Sequence, residues 1–417
     1  MQLRSHPLRA ALSAEMHIRR LPRFAAPCRL VQFVTLLDGA AASLAYAHIE
    51  TLVATAQQVV PFSTKYGVAM LGGISLVWER HTEFATYTLL RPGAFDTPFD
   101  PGLFEPVLSA VLENMPGEIV RATQIALVAS NDAAPITADL DRWFEPEATI
   151  VCDVASDTAR IVSDFKLHED GFGRLLVQDR GLARDEPAQL MMRLQELGNY
   201  RNMALLGLPL AQQLTPAVTE LEARLAELTH AVSERRSEDD QLLDELTFLS
   251  AELARIVAQT RYRMSATRAY AQICSDRLAS LHVSAVRGYQ TLVDFTERRL
   301  VPAVRTCDSF SARLEDLSQR AAWTSELLRT RIDIALAKQN RDLLASMDRR
   351  TSLQLRLQQT VEGLSVAAIS YYLVGLVRYL FDAVPGLNHE IAMAVAVPVV
   401  LASVALVLWR LRRHVAD

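Results

Sequence analysis

The side chains best able to do chemistry crowd into one short run, Trp78-Glu79-Arg80-His81-Thr82-Glu83. On an extended strand side chains alternate between faces, so Glu79, His81 and Glu83 would share one face at ~7 Å spacing. Two carboxylates flanking an imidazole could then hold a divalent metal or pass a proton. The competing reading is a half-exposed strand whose polar face makes ion pairs while Trp78 packs inside. It is favoured, because one histidine with two carboxylates matches no established ligand spacing. His6, Glu15 and His17 form a second group near the N-terminus. Glu15 and His17 are two positions apart and do not share a helix face, which leaves an amphipathic helix there. Gly171-Phe172-Gly173 is too short to cradle a phosphate, and His168, Glu169 and Asp170 decorate the same turn. The sequence holds no Gly-x-Gly-x-x-Gly, Walker A, His-Glu-x-x-His or Gly-x-Ser-x-Gly motif. No catalytic residue and no cofactor is assigned, and a conventional enzyme is not expected.

These groups need elements to hold them. Residues 1–20 read as a helix with Leu8, Leu12 and Met16 on one face, closed by Pro22 and Pro27. Residues 29–37 are apolar and β-branched enough for a buried strand, and residues 40–60 read as an alanine-rich helix stopped at Pro61. The clearest strand signal follows, where residues 66–71 and 74–79 flank Gly72-Gly73, a two-residue turn that specifies a hairpin. Residues 82–90 make a third strand. The pattern then gives a helix at 103–114, a strand at 119–129, a short helix at 138–144, and strands at 149–154, 160–168 and 174–178. Strands interleaved with helices, hairpins among them, predict an α/β or α+β unit with a mixed sheet over residues 1–186.

After Pro187 the strand pattern stops. Leu214, Val218, Leu221, Leu225, Leu228 and Val232 step by fours and threes, and Leu242, Leu246, Leu249, Leu253 and Ile256 do so again. Such steps are coiled-coil seams. The polar run 233–240, in which Ser237 and Asp240 resemble a capping box, makes a helical hairpin of residues 187–287, although an unbroken heptad phase leaves one long helix open. A further helix begins after Gly288, kinks at Pro302 and continues as a stalk to residue 363.

The C-terminus reads as a membrane hairpin. Residues 391–409 carry no charge and would span about 28 Å as a helix, close to the ~30 Å hydrocarbon core of a bilayer. Residues 364–381 are nearly as apolar, and Pro385-Gly386 supplies a turn between the two. Arg378 lies three residues from the end of its span, where its side chain can snorkel to the headgroups. Arg349, Arg350 and Arg356 precede the first span and Arg410, Arg412 and Arg413 follow the second, whereas the connection holds only Asp382 and Glu390. The positive flanks place both ends in the cytoplasm, with these arginines at lipid headgroups and residues 410–417 as a basic tail. The expected fold class is therefore α+β: a mixed-sheet N-terminal domain, long coiled-coil-like helices and a two-helix transmembrane hairpin.

The 43 Lys and Arg residues against 48 Asp and Glu give a formal net charge of −5, and no basic patch with interleaved aromatics calls for a nucleic acid. No apolar run near the start is long enough for a signal peptide. Cys28, Cys152, Cys274 and Cys307 lie far apart, as suits a reducing compartment.

The run His6-Pro7-Leu8-Arg9 with Glu15-Met16-His17, the stretch from Trp78 to Phe84, and above all residues 327–372 resemble the bacterial family catalogued as domain of unknown function 3422. The resemblance covers essentially the whole chain and implies an inner-membrane location. The family has no established activity, so no functional residue carries over. Its usual His-x-Arg-Pro is broken here, since Ile18-Arg19-Arg20-Leu21-Pro22 follows His17. A looser likeness, in architecture alone, is to the CorA-type magnesium channels, in which first spans line a pore. In that case Ser365, Tyr372, Gly375 and Tyr379 would form the pore face, but the Gly-Met-Asn signature is missing. The preferred expectation is a self-associating, membrane-anchored scaffold or binding module, a homo-oligomer whose partners are lipid and further copies of itself. A two-span cation channel and a metal-dependent enzyme at residues 79–83 are the alternatives.

Overall fold

Alternation of apolar and polar residues fails in Cys28–Leu36 (CRLVQFVTL), where eight of nine residues are buried, and a strand covered on both faces reads that way. This strand lies at the middle of a computed structural model that describes residues 5–15, 21–60, 63–130, 139–234, 239–382 and 389–415. The elements run α1 (Arg9–Glu15), β1 (Cys28–Leu36), α2 (Gly39–Val53), β2 (Gln58–Val60), β3 (Tyr66–Leu71), β4 (Ile74–Arg80) and β5 (Phe84–Pro92). Then come α3 (Val107–Leu112), β6 (Glu118–Val128), β7 (Ile150–Val154), β8 (Ala159–Ser163), β9 (Gly173–Asp179), α4 (Glu186–Leu205), α5 (Gly207–Glu234) and α6 (Asp239–Ala279). The short β10 (Ser284–Ala285) precedes α7 (Leu292–Asp382) and α8 (His389–Val415). Two compact units result, Met1–Trp323 and Thr324–Asp417.

In the first unit ten strands form one sheet in the order β10-β7-β8-β9-β6-β1-β5-β4-β3-β2. The β6–β9 pair is parallel and the other pairs are antiparallel, so the sheet is mixed, as the hairpins require. Gly72 and Gly73, both at positive φ (54° and 81°), close the β3–β4 hairpin with the twist that suits its strands. On one face Val31, Phe33, Leu76, Trp78 and Tyr87 pack against Ala45 and Ile49 of α2 and Leu108 and Val111 of α3. On the other, Leu30, Phe84, Ile125 and Leu175 meet Met191, Leu194 and Leu197 of α4, with Cys274 of α6 and Leu292 of α7 behind them. Each fully buried Val, Leu, Ile, Phe or Met among them contributes ~1.5–3 kcal/mol relative to exposure.

Several elements differ from the sequence expectation. The helix expected over 40–60 ends at Val53, because Gln58 to Val60 pair as an edge strand with Val68 to Met70. The helix expected at 103–114 breaks into a 3-10 turn, Pro101–Phe104, and α3, because Pro106 intervenes. The helix expected at 138–144 is a 3-10 turn, Leu140–Arg142. The strand expected to reach His168 stops at Ser163, where the Asp164 carboxylate accepts from the amides of Glu145 and Lys166, both at 3.1 Å, and turns the chain out of the sheet. The N-terminal helix is described from Arg9 to Glu15, and the rest of residues 1–20 from Met16 onward lies outside the described residues.

The two seams meet as a hairpin of helices. Val218, Leu221, Leu225, Leu228 and Val232 of α5 and Leu242, Leu246, Leu249, Leu253 and Ile256 of α6 are all buried, and the two helices pack on each other. The connection at 235–238, with Ser237, lies outside the described residues. Within this unit α7 adds a third helix through buried Leu314 and Leu317, an Arg313–Glu222 bridge to α5 (2.7 Å) and an Arg268–Asp308 bridge to α6 (2.7 Å). The start of α7 is fixed by a reciprocal cap, in which the Asp294 amide donates to Thr291 Oγ1 (3.0 Å) and the Thr291 amide to Asp294 Oδ2 (3.3 Å).

In the second unit every residue from 333 to 361 is exposed. Beyond them α7 and α8 each contain a stretch long and apolar enough to cross a membrane, and only 6% of each stretch is buried. The turn expected around Pro385-Gly386 lies outside the described residues.

Candidate functional sites

Glu79, His81 and Glu83 do not share a strand face. β4 ends at Arg80, and residues 81–83 form the bend into β5, where the His81 amide donates to the Phe84 carbonyl (2.8 Å). The expectation failed because it extended one strand across a turn. The His81 ring stacks on Phe84, with centroids 4.0 Å apart, and its Nε2 lies 3.6 Å from Glu79 Oε2. Glu83 turns to α6 and takes both guanidinium nitrogens of Arg263, Nη1 at 3.0 Å from Oε1 and Nη2 on Oε2. Across from Glu79, burial raises the Glu196 carboxyl, even though Arg277 is bound 2.6 Å away. The gap among Glu79, His81, Phe84 and Glu196 has about 20 Å³, room for one water and no substrate. Among the described residues no three His, Cys, Asp or Glu side chains are placed to hold a metal ion.

The other sequence candidates have local roles. His6 Nδ1 accepts from the Leu8 amide at 3.2 Å, while the Glu15 side chain and His17 lie outside the described residues. His168 Nε2 lies 3.1 Å from Asp164 Oδ2, and Asp170 accepts from the Phe172 amide and pairs with Arg174. All four cysteines are buried and free, and burial pushes the Cys28 thiol up to about 12 and those of Cys152 and Cys274 up to about 11, a state unreactive toward oxidation.

A larger site lies between the sheet and α4. Where β6 enters beside β1 its register slips, so that Thr35 pairs with Ile119 and Val34 with Arg121, leaving Val120 as an extra residue. Such a bulge re-aims the side chains next to it. Arg121 is directed toward α4, where its Nη1 donates to Gln32 Oε1 and Asn199 Oδ1, both at 2.9 Å. Its guanidinium lies against Gly198, and a Cβ there would stand 2.7 Å from Arg121 Cζ. One turn along α4, the Arg201 guanidinium covers the Phe165 ring at 4.6 Å and reaches Phe295 at 5.8 Å, and these two rings stack 4.7 Å apart. Phe165 is held in the left-handed region (φ 52°) by the turn at Asp164. Among the described residues Arg201 Nη1 is buried without a hydrogen-bond partner.

Arg121 and Arg201 both border a cavity of about 400 Å³. Among the described residues its lining contains no Asp or Glu; Thr123, Ser163 and Asn202 are polar, and Ile161, Leu194, Leu197 and Leu292 are apolar. Lys166 and Arg174 also border it, but Glu145 and Asp170 neutralise them. Burial, with Arg201 nearby, pushes the Arg121 guanidinium down to about 9, and burial also lowers Arg201, with Arg299 adding to the effect. Arg121 is therefore still a cation at neutral pH, as arginine guanidinium groups in proteins are in general. The Ser163 hydroxyl donates to the Arg174 carbonyl at 2.7 Å, so the cavity presents charge rather than a free nucleophile. The sequence trace of this site is small: one arginine in the first half of β6, ahead of the buried run Ile125 to Val128, and one half-buried arginine on α4.

The remaining sequence candidates are on α7 and α8. Arg349, Arg350, Arg356, Arg378 and Arg410 are exposed, while the side chains of Arg412 and Arg413 lie outside the described residues. Ser365, Tyr372 and Tyr379 are exposed and Gly375 is half-buried, and the Ser365 hydroxyl donates back to the Val361 carbonyl at 2.8 Å. No curated protein matches the chain. A family model described as Protein of unknown function (DUF3422) matches residues 4–415, and by that match the chain belongs to this family.

Proposed function

We propose that the protein is a binding module anchored in the bacterial inner membrane by residues 364–381 and 391–409, with its N-terminal α+β unit and both chain ends in the cytoplasm. The observation that carries this reading is the uncovered apolar surface of α7 and α8, where Leu364, Leu376, Leu380, Ile391, Val395 and Leu406 are all more than half exposed. A surface of that extent is unstable in water and stable in hydrocarbon. The arginines on the outer flanks of the spans set the orientation, because positive flanks are retained in the cytoplasm. Separating membranes from supernatant after lysis, with reporters fused after Asp417, tests it: pelleting with a cytoplasmic-type signal is expected, and full-length protein in the supernatant overturns it.

Self-association belongs to the same reading, but through a different surface from the one the sequence suggested. The α5 and α6 seams are covered within the chain, so they do not demand a second copy. Leu336, Leu343, Met347, Leu357 and Val361 of α7 remain uncovered, at helical steps that put them along one side. The stretch 333–361 would offer a contact about 43 Å long to an identical helix. For the channel alternative no comparable observation speaks.

A further inference from the structure

We propose that the cavity between β6 and α4 binds a small organic anion, a carboxylate or phosphate head on an apolar body, recognised by Arg121 and Arg201. Two guanidinium groups in one cavity without an acid are costly, because burying a charge is compensated only by an opposite charge or by hydrogen bonds. Arg121 has two neutral oxygen partners, and Arg201 has aromatic faces and an Nη1 that no described residue hydrogen-bonds. An oxyanion between them would supply what both lack, through the paired N–H geometry with which arginine takes carboxylates and phosphates. Thr123 and Asn202 border the same space and can add neutral hydrogen bonds. The apolar walls, from Ile161, Leu194, Leu197 and Leu292, call for a ligand with a hydrocarbon or aromatic portion. At about 400 Å³ the space suits a metabolite-sized molecule rather than a bare ion.

The inference gives the proposed binding module its ligand class, yet its test does not depend on the anchor, and either can fail alone. Full-length purified protein, kept in solution with or without a mild detergent, is titrated by calorimetry with hexyl phosphate, hexanoate, hexanol and hexylamine. Saturable binding of at least one of the two anions is expected, with at least a tenfold loss in Arg201→Met and partial recovery in Arg201→Lys. No saturable binding of either anion, equal binding of hexanol, or Arg201→Met within twofold of the native chain overturns the proposal. Should Arg201→Met fail to fold, phenylglyoxal labelling of the native chain keeps the question open to refutation, since a bound anion must shield Arg121 and Arg201. Shielding by phosphatidylglycerol vesicles without added anion assigns the head to a lipid, shielding by hexyl phosphate or hexanoate but not by the vesicles assigns it to a free metabolite, and shielding by none of them removes the site.

Discussion

Arg263 of α6 holds both carboxylate oxygens of Glu83, a residue 180 positions earlier at the bend between β4 and β5. The pair ties the sheet to the helices packed on it, and Glu83 is almost wholly out of solvent. Removing one partner leaves the other charge buried and unpaired, which typically costs about 3–5 kcal/mol, near the lower end here because Arg263 keeps some exposure. Glu83→Gln should therefore lower the thermal midpoint of the full chain in detergent by several degrees. The double variant Glu83→Leu/Arg263→Met should recover most of the loss. Circular dichroism melts check both, and an additive double variant would show that the pair is not coupled.

The pair also explains where the sequence was legible and where it was not. The β3–β4 hairpin, the mixed sheet and the buried α5 and α6 seams follow from local rules, a glycine pair and a heptad step, and these were readable. The favoured reading of the 79–83 run anticipates an ion pair for Glu83 and a buried Trp78, but the partner lies far along the chain on another element, and nothing local announces Arg263. The same holds for Arg121 and Arg201. Each looks like an ordinary charge until a one-residue slip in β6 and the absence of a side chain at Gly198 bring them to one cavity. The breaks at Pro106 and Asp164 were missed for a related reason: periodicity was carried through residues whose own chemistry ends an element.

Gly198→Ala separates site from scaffold. The added Cβ would lie 2.7 Å from the Arg121 guanidinium, so the flexible end of that side chain must move, while the α4 backbone need not. Alanine also favours a helix interior over glycine by roughly 0.5–1 kcal/mol. The variant should melt within a degree or two of the native chain, yet bind hexyl phosphate several-fold more weakly. Unchanged affinity would mean that the seat of Arg121 against α4 does not matter for the ligand.

Asp153 links stability to pH. Its carboxyl is held below the ordinary range, first by hydrogen bonds from Arg160 (2.7 and 2.9 Å) and then by the charges of Arg160 and Arg180. A carboxylate whose folded pKa is depressed contributes stability above its unfolded value, near 3.9, and loses it as pH falls through the folded value. Between about pH 5 and 3 the native chain should lose stability more steeply than Asp153→Asn, which no longer takes up that proton. Urea midpoints at successive pH values read the difference, and parallel curves would refute the assignment. The group is partly solvated, so the effect is a fraction of what a fully buried pair would give.

The exposed stripe on α7 gives the most direct test of assembly. Leu343 and Val361 are 57% and 55% exposed, and no core residue depends on them, so charges there leave the first unit intact. If the native chain self-associates through this helix, Leu343→Glu with Val361→Glu places like charges across the contact, where they repel and lose the buried apolar area. Light scattering of detergent-solubilised protein should then show the native mass falling to that of one 46.3 kDa chain in the variant, with the thermal midpoint unchanged. The same pair of substitutions in α5, at Leu225 and Val232, would instead unfold the bundle, because those side chains are covered by the chain itself. A native protein that runs as a single chain, or a variant that keeps the larger mass, would remove α7 as the contact.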